Sequence, residues 1–410
     1  MSALADAAGT LRRVCDIVDG RIADDEPPTW CASRGWVDFL VSLTDEQLAR
    51  CETVGLADVA VSLAGAPASL VELCHEIAAA TRLPSLISAA GSRALSPEAL
   101  RGVPQRKRLQ LEAFLAACAP MAARCERVVD VGAGRGHLTR LAASLLDKSA
   151  LGLEREAARV GTARELARRS GPTRATFRAF DAFREPLELE ATDLVLGLHA
   201  CGEVADVLLV AAARARAGVA FVSCCLQKIR GAVRTPLSCA GGPLVLRREA
   251  LGLTNLVPRE HGVERSTSDT MRAREARFAL RLLLERRGRS CAPGEEMRGV
   301  NRRRARAGLA ELAGRALAAR GLAEASMDEI AACEVDARRR FATVRRLSLP
   351  RSLIGRLLEV AIALDRACYL EEQGYRVRVG TLFDGGVSPR NIAILAALGD
   401  APMVRETSDS

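Results

Sequence analysis

Aromatic side chains are scarce, with nine Phe, two Tyr and two Trp in 410 residues. A stacking platform for single-stranded RNA is therefore poorly supplied. Uninterrupted apolar runs long enough to cross a bilayer, about 18 residues or more, are missing, so no membrane partner is expected. Residues 1–13 lack the basic-then-apolar layout of a secretory signal, and the chain is expected to stay in the cytoplasm. Pairs of the C-x-x-C type are also lacking. The 13 cysteines are scattered and odd in number, which argues against a disulfide framework and against a structural zinc ribbon. Most are read as small, buried, reduced thiols, and no metal site is assigned.

What is present is a chain rich enough in apolar residues, 49%, to bury one large core with satellites. Residues 128–136 read Val-Val-Asp-Val-Gly-Ala-Gly-Arg-Gly: a short buried strand ending in Asp130, then Gly132, Gly134 and Gly136 at alternate positions. Such spacing suits a sharp strand-to-helix turn with a ligand lying against bare backbone. The dinucleotide spacing G-x-G-x-x-G would put its third glycine at 137, which is His137, so a nicotinamide cofactor is disfavoured. A second apolar strand at 151–153 ends in Glu154, where an acid gripping ribose hydroxyls belongs. A third, at 173–180, runs into Asp181 and Ala182. A fourth, at 193–198, runs into His199-Ala200-Cys201-Gly202, and a fifth, at 219–223, into Cys224-Cys225. Strands alternating with helices make a parallel α/β sheet, and polar residues gathered at strand C-termini mark where ligands bind.

Far downstream, apolar residues recur at helical spacing through 352–374, followed by strands at 375–383 and 391–398 joined by the turn Asp384-Gly385-Gly386-Val387-Ser388-Pro389. The roughly 125 residues between the fifth strand and that helix exceed any ordinary loop and imply an inserted, mostly helical subdomain. The division read from these signals is an N-terminal helical region 1–102, a first core part 103–229, an arginine-rich helical insertion 230–350, the last helix and terminal strand pair 351–400, and a polar tail 401–410. Within the first region a T-x-x-Q capping box at Thr44 and Gln47 opens a helix over 46–54, and Ser96-Pro97-Glu98 marks another start. Trp30 and Trp36 flank Pro27-Pro28 and are read as packing anchors.

The D-x-G-x-G-x-G run resembles the first motif of the Rossmann-like S-adenosylmethionine methyltransferases. With His199-Ala200-Cys201-Gly202, Ser223-Cys224-Cys225-Leu226-Gln227-Lys228-Ile229, Leu364-Asp365-Arg366, Tyr369-Leu370-Glu371-Glu372-Gln373-Gly374 and Ser388-Pro389-Arg390-Asn391, the chain resembles the methyltransferase-like protein 25 group. The likeness covers about residues 104–398, patchily through the insertion. It implies a seven-stranded Rossmann-like sheet with an antiparallel last strand. S-adenosyl-L-methionine is the implied cofactor, held by Asp130, Gly132, Ala133, Gly134, Gly136, Glu154, Asp181, Ala182 and His199, with Asp181 receiving the adenine amino group. The acceptor is left open by the likeness.

Methyl transfer needs alignment and exclusion of water more than acid or base chemistry. Candidates for chemical participation are His199, as a base or as a ring that ties down a neighbouring segment, and Cys201 and Cys224, as nucleophiles of the cytosine-C5 kind. The covalent option is the weaker, because the Pro-Cys and neighbouring Asp associated with that chemistry are missing. A zinc site from His199, Cys201, Cys224 and Cys225 ranks lower still, since adjacent cysteines make awkward chelators.

The net charge of +9 and pI of about 9.1 invite RNA as partner and acceptor. Arg272, Arg274, Arg277, Arg281, Arg286, Arg287, Arg289, Arg302, Arg303, Arg304 and Arg306 all fall in the insertion, where guanidinium groups grip phosphates or line a solvated helical face. Both readings stand at this point. So do a small-molecule or protein acceptor under a helical lid, and a scaffold that binds cofactor without turnover.

Overall fold

The computed structural model describes residues 2–20, 22, 24–87, 100, 102–170, 173–242, 244–257, 267–291 and 294–399. The helix start at Ser96-Pro97-Glu98 and the polar tail lie outside the described residues. The chain divides into two compact units: one of 1–13, 78–257 and 355–410, the other of 14–77 and 258–354.

Among the described residues the first unit has nine strands: β1 (Arg127–Val131), β2 (Ser149–Glu154), β3 (Ala175–Ala179), β4 (Asp193–Cys201), β5 (Gly218–Cys224), β6 (Val233–Arg234), β7 (Leu246–Arg247), β8 (Tyr375–Thr381) and β9 (Ile392–Leu398). Seven form one sheet in the order β3-β2-β1-β4-β5-β9-β8, and β6 and β7 form a separate pair. Neighbours from β3 through β5 are parallel, whereas β9 is antiparallel to both β5 and β8. This is the seven-stranded Rossmann-like sheet expected from the sequence, with its one reversed strand. The turn at 384–389 is also formed: Val387 N–H donates to Asp384 O at 3.0 Å, and Gly386 N–H to Asp384 Oδ1 at 2.7 Å.

Burial on both faces explains the continuous apolar runs of the strands. Successive residues alternate sides. Val128, Leu194, Leu196 and Val222 pack with Leu111, Phe114, Leu138 and Leu141 from the helices Gln105–Ala122 and His137–Leu145. Val129, Val195, Val219 and Phe221 pack on the other face with Leu208, Leu209, Val360 and Leu370 from the helices Glu203–Ala215 and Leu349–Glu372. Strand order reverses direction at β1, whose neighbours are β2 and β4, and in open α/β sheets a crevice for ligands forms at such a switch point.

The second unit is helical. Helices Thr267–Arg286, Leu309–Ala318 and Met327–Leu347 enclose a core including Leu283, Leu312, Leu317 and Phe341. Helices of the 14–77 stretch belong to this same unit, joined to it by Arg345 with Glu52 at 2.6 Å and Arg346 with Asp45 at 2.7 Å. The units therefore divide the chain differently from the sequence-based boundaries at 102 and 230. Residues 230–257, with β6 and β7, lie in the sheet unit. The capping box at Thr44 is complete in both directions, and its helix runs Asp45–Thr53. Trp30 and Trp36 are buried edge to face, 6.5 Å between centroids, and the Trp36 indole donates to Ser69 Oγ at 2.9 Å. They anchor packing, as read from the sequence.

Among the described residues no helix is long and apolar enough to cross a membrane.

Candidate active site

The loop after β1 turns through three left-handed glycines, Gly132 at φ 80°, Gly134 at 58° and Gly136 at 75°. Gly132 and Ala133 donate their N–H groups to Leu153 O at 2.8 and 3.0 Å, which seats the loop against the end of β2. Gly134 N–H donates to Glu154 Oε2 at 2.9 Å, and the other carboxylate oxygen receives Glu156 N–H at 3.0 Å. Loop and acid are thus one constellation. A Cβ on Gly134 would meet nothing nearer than Gly132 O at 3.9 Å, so that face of the loop is open. Gly136 is glycine for another reason. Its Cβ would fall 2.5 Å from the Phe177 ring, so the residue is required by helix-to-strand packing.

Asp130 is 2% exposed and receives the Thr139 hydroxyl at 2.7 Å, tying β1 to the helix His137–Leu145. Burial pushes its carboxyl up to about 6, against the pull of Thr139 and Lys107. Asp181 stands after β3, half-buried, with Oδ1 receiving Phe183 N–H at 3.0 Å; Ala182 follows it. A cavity of about 1190 Å³ lies beneath β2 and the 185–190 segment, lined by Leu151, Leu153, Leu187 and Arg234 among others. Of the residues assigned to the cofactor only Ala182 lines it. The strand ends, where the charged and thiol groups converge, are the more informative location.

β4 extends past the expected 198 to Cys201, because the register shifts between Leu198 and Ala200 and leaves His199 in a bulge at φ 69°. The imidazole bonds Gln110 Oε1 through Nε2 at 3.0 Å. With the amide oxygen as acceptor, the ring carries its proton on Nε2 and keeps its lone pair on Nδ1. Burial, reinforced by Lys107 and Arg106, holds its pKa down at about 3, so the ring is neutral near pH 7. A ring this hard to protonate is suited to positioning more than to accepting a proton. The reading of His199 as a tie between segments gains a named partner, Gln110, on the helix Gln105–Ala122.

Sequence reasoning passed over Gln110 and Lys107 as site residues. Yet lysine is rare, only Lys107, Lys148 and Lys228 in the chain. Burial lowers Lys107, while the charges of Asp130 and Cys224 act to raise it. Lys228 donates to Cys201 Sγ at 3.6 Å. Two of the three lysines therefore stand at the strand ends.

Cys201 and Cys224 face each other with sulfurs 3.1 Å apart, and Cys224 Sγ donates to His199 O at 3.0 Å. Mutual thiol bonding pushes Cys224 strongly up and draws Cys225 down. Arg390 does not reach the strand-end crevice as a free cation: it pairs with Glu359 and donates to Thr254 O. Ser388 receives Arg106 at 3.3 Å and Asn391 donates to Phe383 O at 2.9 Å, so the Ser-Pro-Arg-Asn run braces the end of the sheet.

Most of the arginines singled out in the insertion already face carboxylates: Arg277 with Glu296 at 2.7 Å, Arg286 with Asp336 at 3.1 Å, Arg287 with Glu329 at 2.6 Å and Arg304 with Glu311 at 3.2 Å, and Arg272 and Arg281 likewise.

Several solved structures are similar over part of the chain. A geranyl diphosphate methyltransferase in complex with GPP and sinefungin is 20% identical, over 28% of this chain and 45% of its own, with a TM-score of 0.26. TrmN from Thermus thermophilus is 26% identical, over 34% of this chain and 46% of its own, also with a TM-score of 0.26. A TehB-like SAM-dependent methyltransferase from Corynebacterium glutamicum is 14% identical, over 27% and 60%, with a TM-score of 0.23. The chain thus spans roughly half the length of these structures. Residues 106–232, which carry β1 to β5 and every residue assigned to the site, match the family model described as a methyltransferase domain.

Proposed function

We propose that the chain is an S-adenosylmethionine-dependent methyltransferase of the class I superfamily, its finer likeness being to the methyltransferase-like protein 25 group. One observation carries the reading: an open glycine loop at the switch point of the sheet has the Glu154 carboxylate hydrogen-bonded to its Gly134 N–H, inside the stretch that matches a methyltransferase domain. The residues fit the cofactor by chemistry. Glu154 is an acceptor for paired ribose hydroxyls, Asp181 for an exocyclic amine, and the loop offers bare backbone where a side chain would collide. When bound, the sulfonium supplies an activated methyl group. The chain's own part is to fix the reactants in line and exclude water. His199, neutral and fastened to Gln110, shapes the strand-end side of that crevice.

Calorimetric titration with S-adenosylmethionine and S-adenosylhomocysteine tests the reading. Wild type binds both, Gly134→Val abolishes binding, and Glu154→Ala weakens it roughly 10- to 100-fold, the cost of losing about 1.5–3 kcal/mol of charge-assisted hydrogen bonding. A wild-type chain that binds neither ligand overturns it and leaves a scaffold.

For the acceptor, the arginine-rich insertion motivates RNA, whose phosphates guanidinium groups grip. The ion pairs that already occupy those groups favour the second reading, a small-molecule or protein acceptor with arginines that serve the fold. RNA binding measured across salt decides between them. Phosphate contacts give a steep linear fall of log affinity with log salt, and weak, flat binding removes RNA.

A further inference from the structure

Three thiols meet where β4 and β5 end, and methyl transfer as read above uses none of them. Parallel pairing sets Cys201 opposite Cys224, with the sulfurs 3.1 Å apart. Cys225 then takes a φ of 47°, the left-handed region that a non-glycine residue enters only when its surroundings impose it. That turn ends the strand and returns the third sulfur to the other two, so the adjacency of Cys224 and Cys225, which counted against a chelate in the sequence, is no obstacle here. All three Sγ atoms lie within 4.8 Å of one another.

The sulfurs are held by a rigid frame. Gly202 N–H donates to Cys224 O at 2.9 Å, Glu203 N–H to Lys228 O at 3.1 Å, and Lys228 N–H to Cys225 O at 2.9 Å, which locks the loop after β4 to the loop after β5. The buried Arg366 guanidinium donates to Ser223 Oγ on β5 at 2.6 Å and to Gly202 O just after β4 at 2.9 Å. Arg366 is itself fixed by Asp206 at 2.7 Å, and Asp206 is shared with Arg234. Thiols are weak donors and weak acceptors, so their mutual contact does not account for such a frame. A disulfide between Cys201 and Cys224 would leave Cys225 in its strained turn with no role. A cation engages all three.

The donor set is specific. A tetrahedral ion with metal–sulfur bonds of about 2.3 Å places its sulfurs about 3.8 Å apart, between the closest approach of 3.1 Å and the outer limit of 4.8 Å seen here. Sulfur ligands exclude magnesium and calcium, which take oxygen. Three thiolates around a divalent ion carry one net negative charge, and Lys228 Nζ, 3.6 Å from Cys201 Sγ, is placed to offset it.

We propose that Cys201, Cys224 and Cys225 form a binding site for a thiophilic divalent cation of the zinc class. Each ligating thiol gives its proton to solvent and its lone pair to the ion. Three protein ligands leave a fourth position for water or an incoming ligand. His199 is not counted as a ligand, because the donor atoms that lie within 4.8 Å of one another are the three sulfurs and no ring nitrogen of His199 is among them. The site stands independently of the methyl-transfer reading.

The test uses the full chain, reduced with a phosphine, stripped by chelator and titrated with Co²⁺ and then Zn²⁺. One equivalent of cobalt is expected to give a sulfur-to-metal charge-transfer band in the near ultraviolet, which zinc abolishes. Cys201→Ser and Cys225→Ser should each weaken binding by more than about ten-fold, the smallest loss usual even for residues one step removed from a metal. Cys239→Ser, an exposed cysteine outside the cluster, should leave it unchanged. Metal-free melting curves matched to wild type select the variants that fold, and Cys201→Ser, at a half-exposed position, serves if Cys225→Ser does not. No charge-transfer band, or a band of undiminished affinity in a folded cysteine variant, overturns the site. S-adenosylmethionine binding is measured on the same metal-free samples, so failure of one reading is told apart from failure of the other.

Discussion

Two glycines of one loop are predicted to fail in opposite ways. A Cβ on Gly136 falls 2.5 and 2.6 Å from Phe177 Cε1 and Cζ and 3.0 Å from the Ala163 Cβ, at a φ of 75°. Left-handed backbone costs a non-glycine residue roughly 1–2 kcal/mol, and overpacking a filled site roughly 1–3 kcal/mol more. Gly136→Ala should therefore unfold with about 2–5 kcal/mol less stability than wild type. On Gly134 the nearest atom to a Cβ is Gly132 O at 3.9 Å, so Gly134→Ala carries only the backbone term, about 1–2 kcal/mol. Its methyl group instead occupies the open face of the loop and should remove cofactor binding. Urea unfolding of the ligand-free chain, followed by fluorescence and circular dichroism to check that midpoint rather than slope changes, measures the first pair of effects. Calorimetry measures the last. A double-mutant cycle with Phe177→Leu isolates the clash, and a coupling of at least about 1 kcal/mol is expected for groups in such contact. Equal stability loss in the two alanine variants, or additive effects in the cycle, would refute the assignment of Gly136 to packing and Gly134 to the ligand.

Other outcomes follow from the same geometry. Asp130 is raised by burial from 3.8 to about 6, so the folded chain holds this proton more tightly than the unfolded one. Its contribution is full below pH 4 and is lost as pH rises to about 6, up to roughly 3 kcal/mol at about 1.4 kcal/mol per pH unit. Asp130→Asn should erase that fall in ligand-free stability between pH 4 and 6, and parallel wild-type and variant curves would sink the argument. His199 works the other way. Depressed from 6.5 to about 3, it contributes stability that is complete above pH 6.5 and lost as pH falls toward 3, so its imidazole resonances should stay constant from pH 8 to 5, and a midpoint near 6.5 would contradict its burial. Arg366→Met leaves Asp206 with Arg234 alone and frees Gly202 O and Ser223 Oγ. A loss of about 3–5 kcal/mol is expected from stranding part of a buried charged network, measured by denaturant unfolding, and a loss under 1 kcal/mol would show the network to be dispensable.

The strands of the sheet were legible because burial on both faces writes them as short apolar runs closed by an acid or a glycine, and Asp130, Glu154 and Asp181 mark those ends. The end of β4 was not, since the residue that takes positive φ in the bulge is His199 and not a glycine. Lys107 and Gln110 were missed because their partners lie far along the chain, His199 being 89 positions from Gln110. A signal was nevertheless there. Positions 107, 110, 111, 114 and 118 fall on one helical face with Leu111, Phe114 and Cys118 fully buried, and two polar residues on such a face call for buried partners. Asp365 and Arg366 were visible as a motif, but their role appears only when β6, the loops after β4 and β5 and the last long helix converge on Asp206 and Arg234. Charge counting left the role of the insertion's arginines open, because a sequence shows guanidinium groups and carboxylates without showing which of them meet.

The reversed strand has a consequence for synthesis. β9 covers the edge of β5 by pairing Val219–Val222 with Ala393–Ala396, so a growing chain makes β5 long before it makes the strand that shields it. Throughout translation of the intervening stretch, the apolar segment Gly-Val-Ala-Phe-Val at 218–222 offers a row of unpaired backbone donors and acceptors to whatever passes. The 14–77 stretch likewise waits for its partners at 258–354. Neither unit can finish in the order in which it is made, and folding should be slow relative to a chain of local contacts. Ribosome-bound fragments stopped before residue 392 are accordingly the species on which chaperone dependence and aggregation should concentrate.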